Sequence, residues 1–234
     1  NVWVLDWYNY IIQHNPTPRG FRTGQGAAYE TTLRDKKHGR VYRVVYGDAK
    51  PNTKTLADAT TEQLVDSLGD DNLFWRLQSQ RLLVEGSNKS KQTALVEAAK
   101  DVARPENAAH ALLSLSGIGS FDVRQETHLD VGLQAELFKK AIDQPKEVLV
   151  RAALTAMPRT DSAFALIGPQ TGSGEIFRTA NPRVIRDLLI ALSEMNVSED
   201  SQGAAFIAQL PLTNSTVKDQ WIAQAATAAG EAAR

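Results

Sequence analysis

Apolar positions follow two different rhythms along this chain. Residues 1 to about 47 carry dense runs of β-branched and aromatic residues, Val2-Trp3-Val4-Leu5 and Gly39-Arg40-Val41-Tyr42-Arg43-Val44-Val45-Tyr46, which predict two strands. After the first run, Asp6-Trp7-Tyr8-Asn9 mixes charge with aromatic bulk, and His14-Asn15-Pro16 ends regular structure. Pro16, Pro18, Gly20, Gly24 and Gly26 then lie in a connection far longer than a hairpin loop. Gly47 to Asn52 reads as a turn, and residues 48–55 as a linker.

From Leu56 the period changes from two to between three and four, the helical spacing. Thr60-Thr61-Glu62-Gln63-Leu64 supplies a cap and an acidic first turn, with Gly69 as a stop. Asp70-Asp71-Asn72 caps a second helix through Leu73, Phe74, Leu77 and Leu82, ended by Gly86. Further helices are expected near 90–102, 105–116, 132–142, 145–157, 160–167, 182–195, 199–210 and 215–231. Pro105, Pro145 and Pro182 sit near helix starts, where a missing N–H costs little.

A faint repeat runs through these helices. Trp75-Arg76, Val150-Arg151 and Ile185-Arg186 each place an apolar residue before an arginine, and Ala109-His110 and Gln220-Trp221 hold comparable places. The marks at 76, 110, 151, 186 and 220 are separated by 34, 41, 35 and 34 residues. Paired helices at that period predict a mainly α chain: a HEAT/armadillo-like α-solenoid with an N-terminal β-hairpin, its arginines bridging adjacent units. The alternative is a single irregular helical domain. Expected boundaries are 1–47 for the strand segment, 48–55 for the linker and 56–234 for the helical repeats.

Composition narrows the chemistry. The 234 residues are 42% hydrophobic and 23% charged, with 26 basic and 27 acidic side chains, an ordinary globular balance that makes no electrostatic case for nucleic acid. The sequence contains no cysteine, which removes disulfides, thiolate metal sites, cysteine nucleophiles and covalent c-type haem attachment within this chain. No apolar run reaches the ~18 residues of a membrane span, and no leader pattern opens the chain. A start at Asn1 rather than Met suggests a processed or excised segment.

Candidate sites are few. His14, His38, His110 and His128 are scattered, without metal-ligand spacing, so no metal site is proposed. There is no GxSxG elbow, and the stretches "TGQGAA", "SGIGS" and "TGSGEIF" lack a full phosphate-binding pattern. The most suggestive carboxylate is Asp6, in an apolar aromatic strand where a charge needs a partner. The structural reading pairs Asp6 with Arg40 or Arg43; the rival reading makes Asp6, Tyr8, Asn9 and His14 a ligand rim. The repeat marks Trp75, Arg76, Arg151 and Arg186 are expected to be structural, and no residue is assigned as catalytic.

"VWVLDWYNYIIQHNPTP" and "YETTLRDKKHGRVYRVVYGD" resemble the closing part of a bacterial family of membrane-bound dehydrogenases whose β-propeller is similar to sorbosone and glucose dehydrogenases. In that family the propeller is followed by HEAT-like repeats and a haem module with a CxxCH motif. "LADATTEQLVDSLGDDNLFWRLQSQRLLVE", "DQPKEVLVRAALTAMP" and "DQWIAQAATAA" resemble its helical repeats. Most propeller blades and the CxxCH motif are missing here, so a catalytic base cannot be carried over. The resemblance implies a non-catalytic scaffold, without a cofactor of its own, in a periplasmic or cell-surface parent using quinone and c-type haem. Its partners would be the other domains of that parent or a separate protein. Two alternatives stay open: the 9–38 loop lies at the substrate rim of a quinone-dependent sugar or alcohol dehydrogenase, or the chain is a free-standing protein-binding repeat protein. The first strand would belong to a sheet largely outside this chain, pairing here with residues 39–46 and supported by the first helices, since a lone hairpin is marginal in water.

Overall fold

The computed structural model describes residues 2–6, 19–20, 37–48, 53–86, 89–160, 163 and 181–194. These residues fall into two units, Asn1–Lys54 and Thr55–Arg234. Tyr8, Asn9 and His14, almost all of the 9–38 loop, the helices expected at 199–210 and 215–231 and nearly all of that at 160–167, and the Gln220-Trp221 mark lie outside the described residues.

In the first unit, β1 (Val2–Asp6) pairs with β2 (Arg40–Val44) in an antiparallel ladder. The register sets Val2 opposite Val44, Trp3 opposite Arg43, Val4 opposite Tyr42, Leu5 opposite Val41 and Asp6 opposite Arg40. Because side chains alternate along each strand, one face carries Val2, Val4, Tyr42 and Val44 with Asp6 and Arg40 at its end, and the other carries Trp3, Leu5 and Val41 with Arg43. Each face is therefore mainly apolar. The seven apolar side chains keep between 44% and 72% of their surface exposed. Asp6 is half-buried, and its cross-strand neighbour Arg40 also donates from Nη1 to the Tyr42 hydroxyl (2.8 Å).

The second unit is helical. Its described helices are α1 (Thr61–Ser67), α2 (Leu73–Glu85), α3 (Lys89–Lys100), α4 (Pro105–Gly117), α5 (Val131–Ile142), α6 (Glu147–Ala156) and α7 (Pro182–Ser193). Local chemistry explains most of the starts. Thr60 and Gln63 form a reciprocal capping box at α1, Asn72 accepts from the Phe74 N–H at α2, and Asp130 accepts from Gly132 and Leu133 at α5. At α7, Asn181 caps Arg183 and Pro182 takes the first helical position, as Pro105 does in α4. After α4, Gly119 turns the chain with φ +77°, a left-handed conformation that a side chain would strain.

Packing arranges the helices as two rows. Helix α1 packs on α2, α3 on α4 and α5 on α6, while α2, α4, α6 and α7 touch in sequence and α1, α3 and α5 do the same. Helix α4 sits centrally, in contact with α1, α2, α3 and α6. Its Ala108, Ala111, Leu112 and Leu115 are fully buried, as are Leu83 in α2, Leu95 in α3, Leu137 in α5 and Leu149 in α6. Small residues permit close approach: a Cβ added at Gly69 would lie 3.2 Å from Asn107 Cβ, and Asn107 itself donates from Nδ2 to the Val65 carbonyl (2.6 Å). That bond ties α4 to the last turn of α1 across 42 residues of sequence.

Candidate interaction groove

The row of α2, α4, α6 and α7 presents polar side chains at nearly repeating intervals. Arg76, in the first turn of α2, donates from Nη1 to the carbonyls of Asp70 (2.6 Å) and Asp71 (3.2 Å), closing the turn that leads into its helix. Its Nε donates to His110 Nε2 (3.3 Å) on α4, 34 residues further along. A guanidinium only donates, so Nε2 is the acceptor and the ring proton sits on Nδ1, which donates to Gln80 Oε1 (2.8 Å) on α2. The half-buried imidazole thus bridges two points of α2 in its neutral form.

Further along the row, Arg151 on α6 donates from Nε to Asp187 Oδ2 on α7 (2.6 Å), 36 residues away. Arg186 donates from Nε and Nη2 to Asp187 Oδ1 (2.9 and 2.6 Å). Asp187, with 13% of its side chain exposed, spends one oxygen on each guanidinium. Arg151 Nη1 lies 3.5 Å from Glu147 Oε1, an oxygen shielded from solvent that has no hydrogen-bond partner. Arg159 with Glu194 (3.0 Å) extends the row at its end, and Arg104 with Asp66 (3.1 Å) links the start of α4 to α1 in the other row.

Between α4, α6 and α7 these groups line an open groove of about 490 Å³. Ala109, Leu113, Val148 and Ala152 supply its apolar part; His110, Glu147, Arg151, Arg183 and Asp187 supply the polar part. A larger hollow of about 710 Å³ lies beside the α4–α5 connection and the end of α6, lined by Phe121, Val123, Val131 and Met157 among others. At its rim Arg124 clasps Asp122 through two side-chain hydrogen bonds (2.9 and 2.8 Å), which hold the Asp122 carboxyl down at about 2.

Burial, and then the neighbouring Arg76 charge, lower the pKa of His110. The stability contributed by the neutral ring is complete above the unfolded value of about 6.5. It declines as pH falls from there toward the lower folded value, because the unfolded chain takes the proton first. Arg76 faces the ring from α2, with Glu147 and Arg151 on α6 and Arg183 and Asp187 on α7 sharing its groove. The wild-type melting temperature should therefore fall more steeply between pH 7 and 5 than that of His110→Gln; equal slopes would remove His110 from the acid response.

Of the residues singled out in the sequence, Arg76 reaches the next mark directly, and Arg151 and Arg186 converge on one carboxylate. Trp75 is half-buried and meets Phe74 edge-on, ring centroids 4.9 Å apart. Asp6 lies on the strand ladder, in the other unit. Gln80, Glu147, Arg183 and Asp187 escaped sequence reasoning. Asp187 follows the mark at Arg186 immediately, but only the stacking of α6 on α7 gives it a role. Among the described residues no His, Asp and Glu cluster could hold a metal ion, and no helix is long and apolar enough to cross a membrane.

Residues 1–48 match the model of a family described as a domain of unknown function, DUF7133. The match ends just short of the boundary between the two units at Lys54. No curated protein matches the chain.

Proposed function

We propose that this chain is a non-catalytic scaffold and interaction segment of a larger periplasmic or cell-surface dehydrogenase. It joins the last strands of a β-propeller to a HEAT-like solenoid that positions a haem module or a protein partner. The observation that carries this reading is the β1–β2 ladder, mainly apolar on both faces apart from Arg43 and the Asp6–Arg40 end, and exposed on both. A strand apolar on both sides suits the interior of a layered sheet, and a two-stranded ribbon alone is marginal in water. The missing layers belong to sheet contributed from outside the described residues.

The helical half is read as a solenoid because its helices pair and stack in two rows, with polar links at offsets of 34 and 36 residues from Arg76 to His110 and from Arg151 to Asp187. The dehydrogenase parent, its quinone and its c-type haem rest on the resemblance of the strand and repeat motifs. The intact mass and haem absorbance of the polypeptide in its source cell test the proposal. A chain much longer than 25.6 kDa that carries haem is expected; a haem-free chain of that mass would sink the dehydrogenase reading.

A further inference from the structure

We infer that His110 is an acid-released latch: when its ring is protonated, the first half of α2 lets go of α4 while the rest of the helical rows stays packed. The inference stands on the geometry around this ring and is independent of the dehydrogenase reading.

The latch is polar. From α4 the neutral imidazole accepts from Arg76 Nε and donates to Gln80 Oε1, so it spans one turn of α2. The apolar grip of this half of the helix is light. Leu73, Phe74 and Leu77 keep between 49% and 55% of their surface exposed. Ser79 is buried, but its hydroxyl has no hydrogen-bond partner, so burying it costs free energy. The second half of α2 is held differently. Leu83 is fully buried, a Cβ added at Gly117 of α4 would lie 3.1 Å from Val84, and Lys91 of α3 donates to the Leu82 carbonyl. Helix α1 keeps its own ties to α4 through Asn107 on the Val65 carbonyl and Arg104 with Asp66.

Protonation of Nε2 turns the acceptor of the Arg76 bond into a donor and sets two cations head to head, their nitrogens 3.3 Å apart. The guanidinium cannot turn aside without giving up the carbonyls of Asp70 and Asp71. No carboxylate hydrogen-bonds to the ring to offset the charge. In the groove that His110 lines, Asp187 is spent on Arg151 and Arg186, Glu147 lies beside Arg151, and Arg183 adds a further positive charge. On α2, Asp70 Oδ1 accepts from the Asn72 N–H, and Arg81 and Glu85 pair at the far end. On α4 the one acidic side chain, Glu106, is exposed, and no residue of α1 or α3 lines the groove. The proton therefore goes preferentially to the form in which this contact is open, and acid shifts the population toward that form.

Hydrogen exchange on the full chain, read by mass spectrometry at pH 7 and pH 5, tests the inference once rates are corrected for the pH dependence of intrinsic exchange. Melting reports the whole chain, whereas exchange reports where it opens. Amides of residues 73–80 should exchange about threefold to about twenty-fivefold faster at pH 5, the upper bound being that of a ring with the ordinary pKa of about 6.5 in the open form. Amides of α6 should not change. In His110→Gln the new amide can accept from Arg76 and donate to Gln80 but cannot titrate, so residues 73–80 should stay protected at both pH values. Arg76→Gln leaves an uncharged donor facing the ring and should shrink the acid effect. No acceleration in the wild type, equal acceleration in wild type and His110→Gln, an undiminished effect in Arg76→Gln, or acceleration shared equally by α2 and α6 would each overturn the inference.

Discussion

Leu112→Ala should lower the free energy of unfolding by about 3 kcal/mol, measured by urea denaturation followed by helical circular dichroism. Leu112 is fully buried at the middle of α4, and α4 is packed against α1, α2, α3 and α6. Truncation removes the transfer free energy of the lost methylenes and leaves a cavity that four surrounding helices cannot collapse around. For a domain of ordinary stability that is a large share of the total, about 5–15 kcal/mol. Leu77→Ala is the internal contrast: Leu77 is 49% exposed on α2, and its loss should cost well under about 1 kcal/mol. Equal losses in the two variants would show that α4 is not the centre of the core. If the two rows behave as a stack of nearest-neighbour units, Leu112→Ala should also split the transition, with α1–α3 and α5–α7 unfolding at different urea concentrations.

Asp187→Ala should be the most damaging single change in the polar row, costing about 2 kcal/mol and lowering the melting temperature correspondingly. Removing this carboxylate leaves Arg151 and Arg186 facing one another without their shared acceptor, and breaking a buried pair by deleting one partner costs more than the pair itself contributes. The cost, about 2 kcal/mol, falls below that of a fully buried pair because the two arginine side chains keep 34% and 40% of their surface exposed to screening solvent. Arg151→Ala should cost less, since Asp187 keeps Arg186, and Arg186→Ala less again, because its bond to the adjacent residue joins no two helices. Thermal melts of the three variants give the order. If Arg151→Ala leaves the melting temperature unchanged, the α6–α7 link carries no stability, and the arginine marks lose their bridging role.

The helix starts were legible locally. Thr60 with Gln63, Asn72, Pro105 and Pro182 each act on a backbone group within three residues, so their effect can be read without knowing the fold. The two strands were legible for a similar reason: β-branched and aromatic runs state a preference for extended backbone. Arg76 and Arg151 could be marked as periodic, but neither His110 as an acceptor nor Asp187 as a shared carboxylate follows from periodicity. Arg183 and Glu147 carry no motif at all; they enter the groove because α6 and α7 lie side by side.

Sequence by itself thus determined, among the described residues, that two short N-terminal runs are strand and that most of the remainder is helix, and where several helices begin. Those outcomes depend on interactions reaching only a few residues along the backbone. Tertiary structure alone decided the two-row packing, the neutral state of His110 and the double use of Asp187. These depend on distances between atoms 30 or more residues apart in the chain, which are set only when buried apolar faces bring the helices together.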